Sequence, residues 1–140
     1  MPIVMTRDEL TTFLARDFGQ VAEDFTIDSV TDDSLALRLH ATERHLRPGG
    51  TVSGPAMFAL ADVAIYLAIL SRIGPVALAV TTNASIDFLR KPEPGRDLLA
   101  RVRLLKLGRV LAVADALVYS EGRDEPVARA TMTYSIPPAR

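Results

Sequence analysis

The sequence contains no cysteine, no tryptophan and only two histidines among its 140 residues. Without cysteine the chain has no disulfide, no thiolate metal ligand and no cysteine nucleophile. Two histidines are too few for a metal site, and no His, Asp and Glu cluster has the spacing of metal ligands. We therefore expect neither a metal nor a redox cofactor, and look to another residue type for the chemistry.

An excess of charge of either sign is also missing. Sixteen basic residues face seventeen acidic ones, which gives a net charge of −1. Such a chain has no overall field that would attract nucleic acid or an anionic membrane, so we expect neither partner. The N-terminal stretch MPIVMTRDEL becomes charged too early for a signal peptide, which favours a cytoplasmic location.

Length and hydropathy predict one domain that assembles with copies of itself. A chain of 140 residues is the usual size of a single domain, here spanning residues 1–140. Its hydrophobic fraction is 49%, against 24% charged residues. So apolar a composition indicates that part of the surface is covered by other subunits. We expect a homodimer or a dimer of dimers.

The order of the predicted elements favours an α+β fold. Thr6 and Glu9 form a capping-box pattern that begins a short amphipathic helix, and residues 25–41 have the alternation of a β-hairpin. Four β-rich stretches follow at residues 76–90, 97–107, 110–120 and 127–136. Their short links favour antiparallel neighbours. We predict an antiparallel sheet wrapped around one long apolar helix.

That helix contains a single acid. Between Pro55 and Leu70 the only charged residue is Asp62, and sixteen residues fall short of the roughly twenty that span a bilayer. A helix that is apolar on all sides needs cover on all sides. One sheet covers one side, so we expect the rest of the cover to come from a partner subunit. Burying a carboxylate costs several kcal/mol unless it is neutralised or bonded. Asp62 is therefore either functional or bonded to a sheet hydroxyl such as Thr81 or Thr82.

The start of the same helix offers a binding site for negative charge. Free amides at Gly54 and Ala56, at the positive end of the helix dipole, suit a developing negative charge. Pro55 fits the first helical position, where an N–H is not needed. Gly54 and Asp62 are eight residues apart, about 12 Å at about 1.5 Å per residue, so one reacting carbon cannot touch both. Antiparallel helices about a twofold axis would bring Asp62 beside Gly54 of a second chain.

Three segments carry a family resemblance: GTVSGP at residues 50–55 followed by Asp62, TTN through FLRKP at residues 81–92, and LGR at residues 107–109. They resemble the G-x-x-H-G-G segment with its later acid, the strand after the helix, and the Gly-Arg turn of the hotdog-fold acyl-CoA thioesterases of the phenylacetic-acid-degradation and 4-hydroxybenzoyl-CoA type. The resemblance covers most of the chain and implies a hotdog fold and hydrolysis of an acyl-CoA thioester.

The resemblance also implies roles for individual residues. Asp62 would be the general base or nucleophile, the Gly54 amide would polarise the thioester carbonyl, and Thr81 would help to hold the water. Coenzyme A enters as part of the substrate. Positions implied to contact the substrate are Arg47, Ser53, Pro55, Asn83, Arg90, Lys91 and Arg109, of which Arg90, Lys91 and Arg109 would meet its phosphates.

Three positions depart from the family pattern. Ser53 stands in place of the histidine, Pro55 in place of the second glycine, and Arg47 in place of an asparagine. These departures keep open a non-catalytic acyl-CoA-binding protein. A hydratase or dehydratase on the same fold is a further alternative, which requires a histidine paired with the acid. His45 is the only local candidate for that role.

Overall fold

The computed structural model describes residues 2–138. Within that range the helices are α1 (Arg7–Asp17), α2 (Gly19–Ala22) and α3 (Gly54–Ile73), and a 3₁₀ turn lies at Glu43–His45. The strands are β1 (Phe25–Val30), β2 (Leu35–Leu39), β3 (Val80–Phe88), β4 (Leu98–Leu107), β5 (Leu111–Ser120) and β6 (Pro126–Ser135). The sequence predicts α1, α3 and the six strands but neither α2 nor the 3₁₀ turn, and residues 76–79, 89 and 90 of the first β-rich stretch are not part of a strand.

The strands form one antiparallel sheet in the order β1-β2-β4-β5-β6-β3. The expectation that short links join neighbours holds for β4, β5 and β6 but is wrong for β3 and β4. Strand β4 already has β2 on one side and β5 on the other. The chain therefore crosses over after β3, which pairs with β6 at the edge of the sheet.

The inner face of the sheet is lined with small side chains opposite α3. On β5 the alanines at positions 112, 114 and 116 are buried, and on β6 Ala128 and Ala130 are buried. Such small residues leave room for the larger side chains of the helix. On β4, Ala100 and Val102 point inward while Arg101 and Arg103 are exposed, which is the alternation predicted for a half-covered strand.

Helix α3 is the core of the fold. It begins after the N-cap residue Ser53 and ends at Gly74, whose φ of 95° lies in the left-handed region that favours glycine. From Ala64 to Arg72 every residue is buried. By length and composition α3 is able to cross a membrane, but 72% of its most apolar stretch is buried inside the fold.

Cover over the second half of α3 comes from the same chain. Leu10, Phe13 and Leu14 of α1 are buried in the core, and the amides of Val4 and Met5 donate to the Ser71 carbonyl. The expectation that everything beyond the sheet must come from a partner subunit is therefore too broad. The N-terminal segment and α1 supply part of this cover.

The first half of α3 keeps an uncovered stripe. Pro55, Phe58 and Ala59 are exposed, and Asp62 is half-buried on the same face. Strand β3 is exposed at seven of its nine residues and lies at an edge of the sheet. An edge strand with unpaired backbone groups readily pairs with another chain.

The capping box that starts α1 gives a direct test of the fold. The Glu9 amide donates to Thr6 Oγ1 at 3.2 Å, and the Thr6 amide donates to Glu9 Oε1 at 2.9 Å. We expect Thr6→Ala to lower the free energy of unfolding by about 1 kcal/mol, measured by urea denaturation. Thr11→Ala is the matched control, because its hydroxyl bonds only back to the Arg7 carbonyl. An equal loss in both variants would contradict the assignment.

Candidate active site

Asp62 is held by hydroxyls from two strands. Thr81 of β3 donates to Asp62 Oδ1 at 2.8 Å, and Tyr134 of β6 donates to the same oxygen at 2.6 Å. The Tyr134 hydroxyl also lies 3.1 Å from the backbone oxygen of Asp62. The contact predicted between Thr81 and Asp62 is present, and Tyr134 is a partner that the sequence analysis missed.

The two hydroxyls make the two carboxylate oxygens of Asp62 unequal. Oδ1 accepts both hydrogen bonds, whereas Oδ2 accepts none from residues 2–138. Burial, and then the neighbouring charge of Asp62, raise the pKa of Tyr134 above its usual range, so this hydroxyl stays protonated and able to donate. Oδ2 is thus the oxygen left to meet a water molecule or a substrate.

A pocket of about 330 Å³ opens beside this acid, and we call it the Asp62 pocket. Its polar lining consists of Asp62, Thr81 and Tyr134, close together at one end. The remaining lining residues are apolar or aromatic: Leu14, Phe18, Val63, Tyr66, Ala79 and Val80. The Asp62 carboxylate therefore faces a space suited to an apolar group.

The start of α3 has one amide without an acceptor rather than two. The Ala56 amide donates to Ser53 Oγ at 3.3 Å, so the expectation of a free Ala56 amide is wrong, because Ser53 serves as the N-cap. The Gly54 amide meets no acceptor among residues 2–138. Pro55 occupies the second helical position rather than the first, where its missing N–H is still not needed.

A second pocket, of about 350 Å³, lies at this helix start, and we call it the Arg90 pocket. It brings together Gly54 and three predicted basic residues, Arg47, Arg90 and Lys91, with no acidic residue in its lining. The Arg90 guanidinium donates to the Pro126 carbonyl, which fixes its direction. The ring of Phe88 covers Gly54, where an added Cβ would lie 3.2 Å from Phe88 Cζ.

Two other predicted residues lie apart from both pockets. Arg109 is in the turn between β4 and β5 and Asn83 is exposed on β3, and neither lines the Asp62 pocket or the Arg90 pocket. Ser135 at the end of β6 pairs with Leu111 at the start of β5 on one side and with Val80 at the start of β3 on the other. Arg109 is thus at the Thr81 end of the fold, whereas Arg90 follows the other end of β3.

His45 is held in place by structural contacts. Its Nδ1 accepts a hydrogen bond from the Thr42 amide at 2.9 Å, and its Nε2 lies 3.5 Å from Asp24 Oδ2. It lines neither pocket, and its carbonyl accepts from the Ser53 amide at 2.7 Å. Within residues 2–138 no group of three His, Asp or Glu side chains is arranged to hold a metal ion.

The acid and the glycine amide occupy opposite ends of one face. Along α3 they are separated by about 12 Å at about 1.5 Å per residue. Along β3, Thr81 contacts Asp62 while Phe88 contacts Gly54. The spacing along α3 and the contacts along β3 thus agree that Asp62 and the Gly54 amide lie far apart. The surface between these two groups is the uncovered stripe of α3.

Comparison with known proteins agrees with this architecture. The model of the thioesterase superfamily matches residues 49–127, more than half of the chain. A crystal structure of a candidate thioesterase from Silicibacter sp. TM1040 is 58% identical in sequence, with a TM-score of 0.92 and coverage of 99% of this chain and 96% of that one.

Two further structures are more distant. A mutant of the phenylacetic acid degradation protein PaaI from Thermus thermophilus is 27% identical, with a TM-score of 0.73, over 85% of this chain and 99% of that one. The protein smu.793 from Streptococcus mutans UA159, solved bound to acetyl CoA, is 27% identical with a TM-score of 0.71, over 83% and 90% of the two chains. The sheet wrapped around α3, together with the match over residues 49–127, shows that the chain belongs to the thioesterase superfamily of hotdog-fold thioester hydrolases.

Proposed function

We propose that the chain hydrolyses acyl-CoA thioesters at a site shared by two copies, with Asp62 from one chain and the Gly54 amide from the other. The observation that carries the proposal is the separation of these two groups on one uncovered face. Each is suited to a different part of thioester hydrolysis, and one chain alone cannot apply both to the same carbonyl.

The exposed edge of β3 supports this arrangement, because two such edges can pair about a twofold axis. In an antiparallel pair the Thr81 end of one strand lies beside the Phe88 end of the other. The uncovered stripe of α3, with Pro55, Phe58 and Ala59, then meets its own copy. The same pairing carries Arg109 of one chain toward the Arg90 pocket of its partner, so residues that are far apart in one chain become neighbours in two.

The proposed reaction uses the free oxygen of the acid. Asp62 Oδ2 takes a proton from water as the water oxygen attacks the thioester carbonyl carbon, or attacks that carbon itself. The carbonyl oxygen becomes an oxyanion at the Gly54 amide, and such a donor contributes about 3 to 4 kcal/mol to the transition state. The C–S bond then breaks and the thiolate of coenzyme A leaves. In the water route it takes the proton that Asp62 accepted. In the nucleophile route an anhydride forms between the acyl group and Asp62, and a water molecule then hydrolyses it, which releases the acid, restores the Asp62 carboxylate and supplies the proton of the thiol.

Coenzyme A is proposed as the leaving group because of the Arg90 pocket. Its three basic side chains, Arg47, Arg90 and Lys91, form no ion pair within residues 2–138, and cations without an acidic partner in a pocket lining suit phosphates. The acetyl CoA bound by smu.793 supports the same substrate class. The hydratase alternative is disfavoured, because His45 is bonded to Thr42 and lines neither pocket.

Mixed dimers test the shared site. Asp62→Asn should lower kcat by about a thousandfold. Gly54→Val should displace the helix start and its amide, because an added Cβ would lie 3.2 Å from Phe88 Cζ. A dimer with one variant on each chain keeps one intact site, so we expect about half the wild-type kcat. A dimer of the double variant with the wild-type chain has no intact site and should be inactive.

The opposite pattern, with activity only in the second mixed dimer, would mean that each site lies within one chain and would overturn the shared site. Binding of acyl-CoA by the wild type with no release of free thiol from acetyl-CoA through palmitoyl-CoA would instead identify the non-catalytic binder.

Tyr134 is proposed as a positioning residue for Asp62. Tyr134→Phe removes the donor to Oδ1 and keeps the ring, so the carboxylate gains rotational freedom. We expect kcat to fall about tenfold with little change in KM, and the free energy of unfolding to fall by about 1 kcal/mol. Tyr119→Phe, on the outer face over Arg101, makes the same chemical change away from the site. Equal kcat values in Tyr134→Phe and the wild type would contradict this role.

The phosphate contacts are tested with two substrates. Arg90→Ala and Lys91→Ala should each raise KM for an acyl-CoA about tenfold. Neither should change KM for the same acyl group on N-acetylcysteamine, which lacks the nucleotide. Arg96→Ala is the control, because its guanidinium donates to the Glu121 carbonyl outside the pocket. If KM rises equally for both substrates, the basic residues do not bind phosphate.

A further inference from the structure

The Asp62 pocket has a polar end and an apolar end. Asp62 and Tyr66 are one helical turn apart on α3, about 6 Å at about 1.5 Å per residue. Thr81 contacts Asp62 at one end, and the ring of Phe18 packs edge-on against Tyr66 at the other, with 5.4 Å between ring centroids. The pocket therefore extends along α3 from the acid to Phe18.

We infer that Phe18 is the end wall of an acyl-binding site and sets the longest acyl group that the protein accepts. The inference rests on the proposed function, which places the thioester carbonyl beside Asp62. With the carbonyl carbon at the acid, the acyl group enters the apolar end of the Asp62 pocket and extends toward Phe18.

No charged residue among those that the structure describes lines the apolar end. The Tyr66 hydroxyl donates to the Ala77 carbonyl at 3.0 Å. Burial, and then the charge of Asp17, raise the pKa of Tyr66 to about 12, so the hydroxyl stays neutral and bonded. The other walls are Leu14, Val63, Ala79 and Val80. An unsubstituted hydrocarbon group leaves no polar atom of these walls without a partner.

The size of the pocket limits the acyl group. At about 30 Å³ for a water-sized group, a space of about 330 Å³ holds an acyl group of about ten non-hydrogen atoms. A palmitoyl group is well above that limit. The structure thus favours short and medium acyl groups over long fatty acyl groups.

Backbone hydrogen bonds hold the main chain of Phe18 in place. Phe18 is the C-cap of α1. Its amide donates to the Leu14 carbonyl at 2.8 Å, and its own carbonyl accepts from the Val21 and Ala22 amides at 3.0 Å and 2.9 Å. Its side chain is only half-buried. Removing the ring therefore opens the pocket outward instead of leaving a sealed cavity.

This wall lies outside the part of the chain that matches the family model. Leu14 and Phe18 belong to the first eighteen residues, whereas the match covers residues 49–127. The acid and the glycine turn are in the matched region, so the machinery of hydrolysis and the limit on acyl length come from different parts of the sequence.

The test is a comparison of kcat/KM across straight-chain acyl-CoAs from acetyl to palmitoyl. For the wild type we expect a fall of about tenfold or more between octanoyl-CoA and dodecanoyl-CoA. Phe18→Ala should raise the dodecanoyl to hexanoyl ratio by about tenfold, and Phe18→Trp should lower the octanoyl to butyryl ratio by a similar factor. Phe25→Ala is the matched control, because Phe25 is also half-buried and lies outside the pocket.

Unchanged length profiles in the Phe18 variants would overturn the inference, and Phe18→Trp decides the question if Phe18→Ala does not fold. A second measurement separates this inference from the proposed function. S-alkyl coenzyme A thioethers cannot be hydrolysed, and their binding is measured by calorimetry. Absence of hydrolysis by the wild type would reject the proposed function alone. A shift in the preferred thioether length in the Phe18 variants would still support the wall, and no shift would overturn it.

Discussion

The carboxylate of Asp62 is the only charge along the apolar stretch of the central helix, and the surrounding structure is arranged around it. A half-buried acid in such surroundings needs hydrogen-bond donors, and the donors come from two neighbouring strands, β3 and β6. Because Thr81 and Tyr134 face each other across that strand pair, their hydroxyls converge on one oxygen. The sheet order and the position of the acid are therefore linked, since another order would leave Asp62 without one of its partners.

Local patterns predict most of the secondary structure. The capping box at Thr6, the hairpin at residues 25–41 and the alternation in β4 all depend on residues near one another in sequence, and all are present. The position of β3 is different. Strand β4 is already paired with β2 and β5, so β3 has to pair elsewhere, and it pairs with β6. This pairing depends on the order of the whole sheet, which the length of the link between β3 and β4 does not predict.

The same distinction applies to the site. Asp62 and Gly54 are predicted from the sequence because an acid in an apolar run and a glycine at the start of a helix are local signals, and Thr81 is predicted as the strand hydroxyl that faces the acid. Tyr134 looks like an ordinary inward residue of β6 and gains its role only from the register that sets it opposite Thr81. Ser53, at the position where the family resemblance implies a histidine, is the N-cap of α3 and accepts a hydrogen bond from the Ala56 amide. This replacement keeps the helix start intact and leaves Gly54 as its free donor.

The open edge of β3 connects assembly with chemistry. In a single chain, Asp62 lies beside one end of this strand and the Gly54 amide lies beside the other end. Under the proposed pairing, neither group forms a complete site until a second copy of the chain binds. Turnover per chain would then depend on how much of the protein is present, falling steeply on dilution below the dissociation constant of the pair. The cellular amount of the chain would thereby act as a threshold for its own activity, without any separate regulatory site.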